Sequence, residues 1–142
     1  MSRYPLALLT TAAVLLAGAG RSAEPKSESD VPRISQAEFK QAQDAKSVVV
    51  LDVRGDMAYG AGHIPGAVIW DSDPARFEKQ LADVKSAKKI VVTYCTCPAE
   101  HSAASVALQL VQHGVGDVRA LKGGLNEWRD GGNRVVTGAK PD

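Results

Sequence analysis

The stretch Ile90-Val91-Val92-Thr93-Tyr94-Cys95-Thr96-Cys97-Pro98-Ala99-Glu100-His101-Ser102 decides the fold. A β-branched run stops at a cysteine, a short loop containing one proline follows, and a small-residue helix is predicted from Ser102. That order puts the Cys95 thiol at the carboxyl end of a strand, facing the backbone amides of a helix start. Unpaired amides and the positive end of the helix macrodipole stabilise a thiolate or an incoming anion there. Cys95 is therefore the candidate nucleophile.

Working outward, the pattern on both sides is strand alternating with helix. Ser35 can cap a helix that opens at Ile34–Phe39, with Glu38 three positions on as in a capping box and Ile34 stapled on Phe39. Val48 to Val53 is a continuous apolar run, of the kind buried on both faces of a parallel sheet. Gly60, Gly62, Pro65 and Gly66 punctuate a predicted loop before a short strand, Ala67 to Trp70. Phe77, Leu81 and Val84 recur at helical spacing after Pro74, and Lys89 to Tyr94 is the next strand. Ala104, Ala107, Leu108 and Val111 mark one face of a helix that Gly114 can end. Val118 to Leu121 reads as a strand, Gly123-Gly124 as a turn, and Leu125 to Arg129 as the start of a last helix. Such βα units build an α/β domain on a parallel sheet, with ligands expected beyond the strands' carboxyl ends. Cys95 stands at one.

The chain has 142 residues, 44% of them hydrophobic, which suits one globular domain with its own core. Its start differs in kind. Met1-Ser2-Arg3 is a minimal cationic segment, Leu6 to Leu16 is apolar apart from Thr10 and Thr11, and Ala17-Gly18-Ala19 offers small residues for cleavage. Residues 1–19 are read as a secretory signal peptide, with cleavage as late as residue 23 the alternative. The apolar run is short for a bilayer span, so no stable membrane anchor is expected after cleavage, an uncleaved anchor being the competing reading. Export follows as the expected localisation, periplasmic if the source is a Gram-negative bacterium. Residues 20–30 are polar with Pro and Gly and read as a solvated linker, and residues 31–142 as the folded domain. The net charge is +1, and removing residues 1–19 takes away Arg3 and no acid, leaving 16 basic and 16 acidic side chains. No basic block stands out, so nucleic acid is not an expected partner.

Asp52-Val53-Arg54, Gly62-His63-Ile64-Pro65-Gly66-Ala67, Tyr94-Cys95, and Gly123-Gly124-Leu125 with Trp128 occur in an order and spacing that resembles rhodanese-like domains, over about Ile34 to Gly131. Each element alone is a weak signal; all four in order are specific. The resemblance implies a doubly wound α/β domain with a central parallel sheet. It also implies a single-domain sulfurtransferase whose active cysteine, at the position of Cys95, accepts sulfane sulfur as a persulfide and passes it to a thiophilic acceptor.

The physical reading of the loop agrees and sets limits. Amides of Thr96, Cys97, Ala99, Glu100, His101 and Ser102 can form a nest for a persulfide anion, whereas Pro98 has no N–H to give. Double displacement is the expected mechanism, with Cys95 taking sulfur from a donor and a second nucleophile removing it. Glu100 and His101 fill the place where active members of the family carry an Arg, or small hydroxyl and glycine residues. A carboxylate beside the thiol would raise its pKa and repel thiosulfate. The alternative, preferred because a buried unpaired carboxylate is costly, is that Glu100 points outward and caps the helix beginning near Ser102. Thiosulfate is thus in question as donor, and the missing Arg argues against the phosphatase branch of the fold.

Cys97 offers two readings: a small loop residue, or a thiol that resolves an oxidised Cys95 by forming a disulfide. A purely structural bridge is disfavoured, because so small a ring removes little chain entropy and is sterically awkward. Asp52 and Arg54 are read as an ion pair that fixes the loop before Gly62, with attraction of an anion by Arg54 the alternative, and His63 as an imidazole bonded to backbone; all three are candidate supporting residues of the site. His101 either tunes Cys95 or sits solvated at the helix start. No cofactor and no metal site is expected, since the histidines are scattered and the cysteines are only two apart. The partners expected are a small sulfur donor and a thiophilic acceptor, with a partner protein as one form of the latter. Two other functions compete: a low-turnover persulfide carrier or binding module, and a thiol–disulfide redox protein using Cys95 and Cys97.

Overall fold

In the computed structural model, residues 23–139 are described; the segment read as a signal peptide, residues 1–19, lies outside them. Five parallel strands form one sheet in the order β1-β5-β4-β2-β3, where β1 is Arg33–Ile34, β2 Val48–Asp52, β3 Val68–Ile69, β4 Ile90–Tyr94 and β5 Val118–Leu121. The apolar runs take the inner positions. β4 lies at the centre, with Val91, Val92 and Tyr94 each fully buried.

Five α-helices complete the domain: α1 Gln36–Asp44, α2 Asp56–Ala61, α3 Pro74–Ala87, α4 His101–Gln112 and α5 Gly124–Asp130. Side-chain alternation along the strands splits the apolar residues into two cores. Leu51, Val91, Cys95, Val118 and Ala120 pack with Leu81 and Val84 of α3 and with Ala103, Ala104, Ala107 and Leu110 of α4. Val50, Val92, Tyr94 and Leu121 pack on the opposite face with Phe39 of α1, Tyr59 of α2, and Leu125 and Trp128 of α5. The sheet is therefore doubly wound, and a thiol directly after β4 emerges on the α3/α4 side.

Local signals set the helix ends. The Ser35/Glu38 capping box is formed, and Asp73 caps α3 ahead of Pro74. α4 ends on Gly114 at φ 84°, whose N–H bonds Val111 O while the Val115 N–H bonds Leu110 O. Two elements depart from the sequence reading. Ile34 lies in a two-residue strand rather than a helix, because Ala120 and Lys122 donate to the Pro32 and Ile34 carbonyls. The segment before Gly62 forms the short helix α2, whose Tyr59 is fully buried. The stretch read as linker ends in a 3-10 turn, Glu28–Asp30, closed by the Ser27 and Asp30 side chains.

The carboxyl edge of the sheet is tied by one buried carboxylate. Asp52 is fully buried and accepts from Arg54 Nε at 2.9 Å, Arg54 NH2 at 2.6 Å and the Tyr94 hydroxyl at 2.6 Å. Arg54 NH2 also donates to Gly62 O at 2.7 Å, and Ile64 N–H donates to the Tyr94 oxygen at 3.1 Å. Burial opposes the charge on Arg54, yet the hydrogen bonds and charge of Asp52 outweigh it and raise its pKa. Burial first, and then the Asp52 carboxylate, push the Tyr94 phenol far above the usual tyrosine range, so it remains a donor.

Two outcomes follow. Asp52→Ala leaves the Arg54 guanidinium, whose side chain is 9% exposed, without its counter-charge. Unfolding in urea should show a loss of about 3 kcal/mol. Because the Tyr94 pKa is raised in the folded state, unfolding releases its proton above the ordinary value of about 10. The stabilisation is thus complete below that pH and is lost as pH rises beyond it. Urea midpoints measured across the alkaline range should fall more steeply for the wild type than for Tyr94→Phe.

Candidate active site

Cys95 follows β4 directly and is 3% exposed. Two contacts from the start of α5, which follows β5, the strand beside β4, hold its backbone. Leu125 N–H donates to Cys95 O at 3.0 Å, and Gly124, at φ 52°, lies so close that a Cβ there would collide with the same oxygen. The Gly-Gly-Leu motif thus seats the loop through backbone. Asn126 Nδ2 adds a bond to Thr96 O at 3.2 Å. Beneath the loop, the buried Thr93 hydroxyl donates to Ala103 O at 2.8 Å, joining β4 to the first turns of α4.

Cys95 and Cys97 are joined by a disulfide, with their Cα atoms 5.7 Å apart. That separation lies within the ordinary range for a bridge, about 4.4–6.8 Å, so the steric objection does not hold for this loop. The extended backbone of Cys97 (φ −82°, ψ 153°) turns its side chain back toward Cys95.

The amides of the loop do not converge on Cys95 as one nest. Cys97 N–H faces Cys95 Sγ at 3.4 Å, while Ser102 N–H faces Cys97 Sγ at 3.2 Å. Glu100 N–H bonds Cys97 O, and His101 N–H bonds Pro98 O, closing a 3-10 turn over Pro98–Glu100. Ala99 and Glu100 are both left-handed, at φ 52° and 54°, which costs side-chain-bearing residues roughly 1–2 kcal/mol each.

Glu100 supplies what offsets that cost, and corrects the expectation for it. Its carboxylate neither caps α4 nor stands unpaired at the thiol. Oε2 accepts from Arg33 Nε at 3.1 Å and Oε1 from Gly123 N–H at 2.8 Å, and Arg33 NH2 also reaches Ala99 O at 3.3 Å. The side chains of Glu100 and Arg33 are 15% and 28% exposed. Glu100 therefore ties the loop to β1 and to the turn before α5. Sequence reading missed Arg33, which lies 67 residues away, and no local pattern marks it.

The remaining predicted residues are bonded elsewhere or exposed. His101 is exposed and its Nδ1 meets Glu28 of the 3-10 turn at 2.5 Å. His63 is fully buried, stacks on the Tyr59 ring, and donates from Nδ1 to Tyr59 O at 2.9 Å. Asp52 and Arg54 form the buried pair described above, at the end of the strand beside β4. Thr96, Pro98 and Ala99 are exposed, and among the described residues no cluster of His, Cys, Asp and Glu could hold a metal ion.

A doubly wound parallel sheet with a cysteine at the end of its central strand defines a class that the comparisons identify. The family model for the rhodanese-like domain matches residues 35–130, and the chain belongs to that family. The thiosulfate sulfurtransferase GlpE of Pseudomonas entomophila is 35% identical over 102 residues, covering 71% of this chain and 87% of that one. An HTH-type transcriptional regulator of Mycobacterium tuberculosis is 34% identical over 110 residues, covering 75% of this chain but only 45% of the regulator. Among solved structures, the BH2092 protein of Bacillus halodurans superposes with a TM-score of 0.65 at 29% identity, covering 78% of this chain and 82% of that one.

Glu100→Arg would set a second guanidinium against Arg33 and remove two hydrogen bonds to a charged group. It should lower stability in urea by about 2 kcal/mol and give no gain in thiosulfate turnover.

Proposed function

We propose that this protein is an exported sulfurtransferase in which Cys95, in its thiol form, takes a sulfane sulfur as a persulfide and passes it to a thiophilic acceptor. The observation that carries the reading is the placement of Cys95 at the carboxyl end of the central strand, its carbonyl seated by Leu125 and Gly124. Ligands of open α/β sheets bind at such an edge. The GlpE relatives, named as thiosulfate sulfurtransferases, support the reaction class.

The chemistry is nucleophilic. The Cys95 thiolate attacks the sulfane sulfur, the donor leaves with the bonding pair, and the persulfide is then attacked at its outer sulfur by the acceptor. The loop carries no lysine or arginine of its own, His101 is turned to Glu28, and Arg33 is engaged by Glu100. No charge therefore selects a dianionic donor such as thiosulfate, and uncharged or polymeric sulfane donors suit the site as well. The test is mass spectrometry of reduced, folded protein after exposure to polysulfide or thiosulfate. One added sulfur atom on the peptide containing Cys95, or its release as hydrosulfide, is expected, with neither from Cys95→Ser; no sulfur taken up in either form would refute the proposal.

The disulfide favours a second reading, a thiol–disulfide redox protein. Equilibration in graded thiol buffers should then show a reversible Cys95–Cys97 bridge. Two thiols free throughout would exclude it.

A further inference from the structure

The two bridged sulfurs occupy different surroundings. Cys95 is packed in the α3/α4 core, with the Cys97 amide beside its sulfur at 3.4 Å. Cys97 is half-buried, and its sulfur receives the Ser102 amide in the first turn of α4 at 3.2 Å. Helix-start amides have no intrahelical acceptor and carry the positive end of the macrodipole. They favour the anionic form of the sulfur they face, which here is Cys97. The bond itself shows that Cys97 Sγ reaches Cys95 Sγ with this backbone.

Resting on the persulfide reading above, we infer that Cys97 is the resolving thiol: it discharges the sulfur held on Cys95 as hydrosulfide and leaves the bridge behind. The Cys97 thiolate attacks the Cys95 Sγ of the persulfide. The Cys97 Sγ–Cys95 Sγ bond forms, the bond from Cys95 Sγ to the sulfane sulfur breaks, and that sulfur departs with the electron pair and its proton as HS⁻. The sulfane sulfur is reduced, and the two cysteines supply both electrons.

Turnover then needs a dithiol reductant. Its first thiolate attacks Cys97 Sγ, the more accessible sulfur, and expels Cys95 as the thiolate that starts the next cycle. Its second thiol displaces Cys97 and leaves as the reductant's disulfide. By this route the co-substrate is a dithiol reductant and the sulfur leaves as hydrosulfide, in competition with direct transfer to a thiophile.

The experiment loads fully reduced protein with a stoichiometric amount of polysulfide, removes small molecules, and follows the protein with no acceptor present. Wild type should release hydrosulfide in step with loss of both thiols, ending with the Cys95–Cys97 bridge in the peptide map, and dithiothreitol should restore repeated release. Cys97→Ser and Cys97→Ala should keep the persulfide on Cys95, release hydrosulfide slower by about tenfold or more, and still pass sulfur to added cyanide. A wild-type persulfide as long-lived as those of the variants would overturn the inference and leave the sulfurtransferase reading intact. No sulfur on Cys95 in any of the proteins would overturn both.

Discussion

Everything at the functional edge of this domain hangs on the burial of one carboxylate. Asp52 ends β2 with no exposure to water, so its charge must be met within the protein. Arg54 meets it with a two-pronged fork and the Tyr94 hydroxyl completes the set. Because Tyr94 precedes Cys95, the same carboxylate that gathers the loop at Gly62 and Ile64 also sets the end of the central strand from which Cys95 follows. Buried ion pairs seldom add net stability over an apolar packing of the same volume. What this one contributes is position: three chain segments share a single set of hydrogen bonds and cannot move separately.

A second set acts on the loop. Glu100 looks out of place in a loop bearing two cysteines, until its partners are counted. Arg33 and the Gly123 amide absorb its charge, and in return it holds two successive left-handed residues in a conformation they would otherwise leave. An acidic residue has become a fastening, and the guanidinium that accompanies it is directed at the protein rather than at a substrate.

How far these arrangements are legible in the sequence depends on the range over which their forces act. The buried strands, the capping box at Ser35 and Glu38, the stop at Gly114 and the place of Cys95 all depend on neighbours a few residues apart, so pattern alone reveals them. Strand β1 is too short to show a period and exists because β5 offers it partners. Helix α2 hides behind glycines that read as loop, although burial of Tyr59 pulls the segment into a turn of helix. The role of Glu100 was beyond reach because its cation comes from the other end of the domain. The bridge from Cys95 to Cys97 was visible as a spacing, and only the backbone angles of the loop show that the ring can close.

That ring closes a very short loop, its two cysteines lying two residues apart. A bond between residues so near in sequence constrains the unfolded chain very little. Gaining or losing it therefore changes the entropy of the unfolded chain little. Were the bridge to open, the change would rest on two sulfur atoms at the loop, where the half-buried Cys97 is the one an incoming thiol meets first.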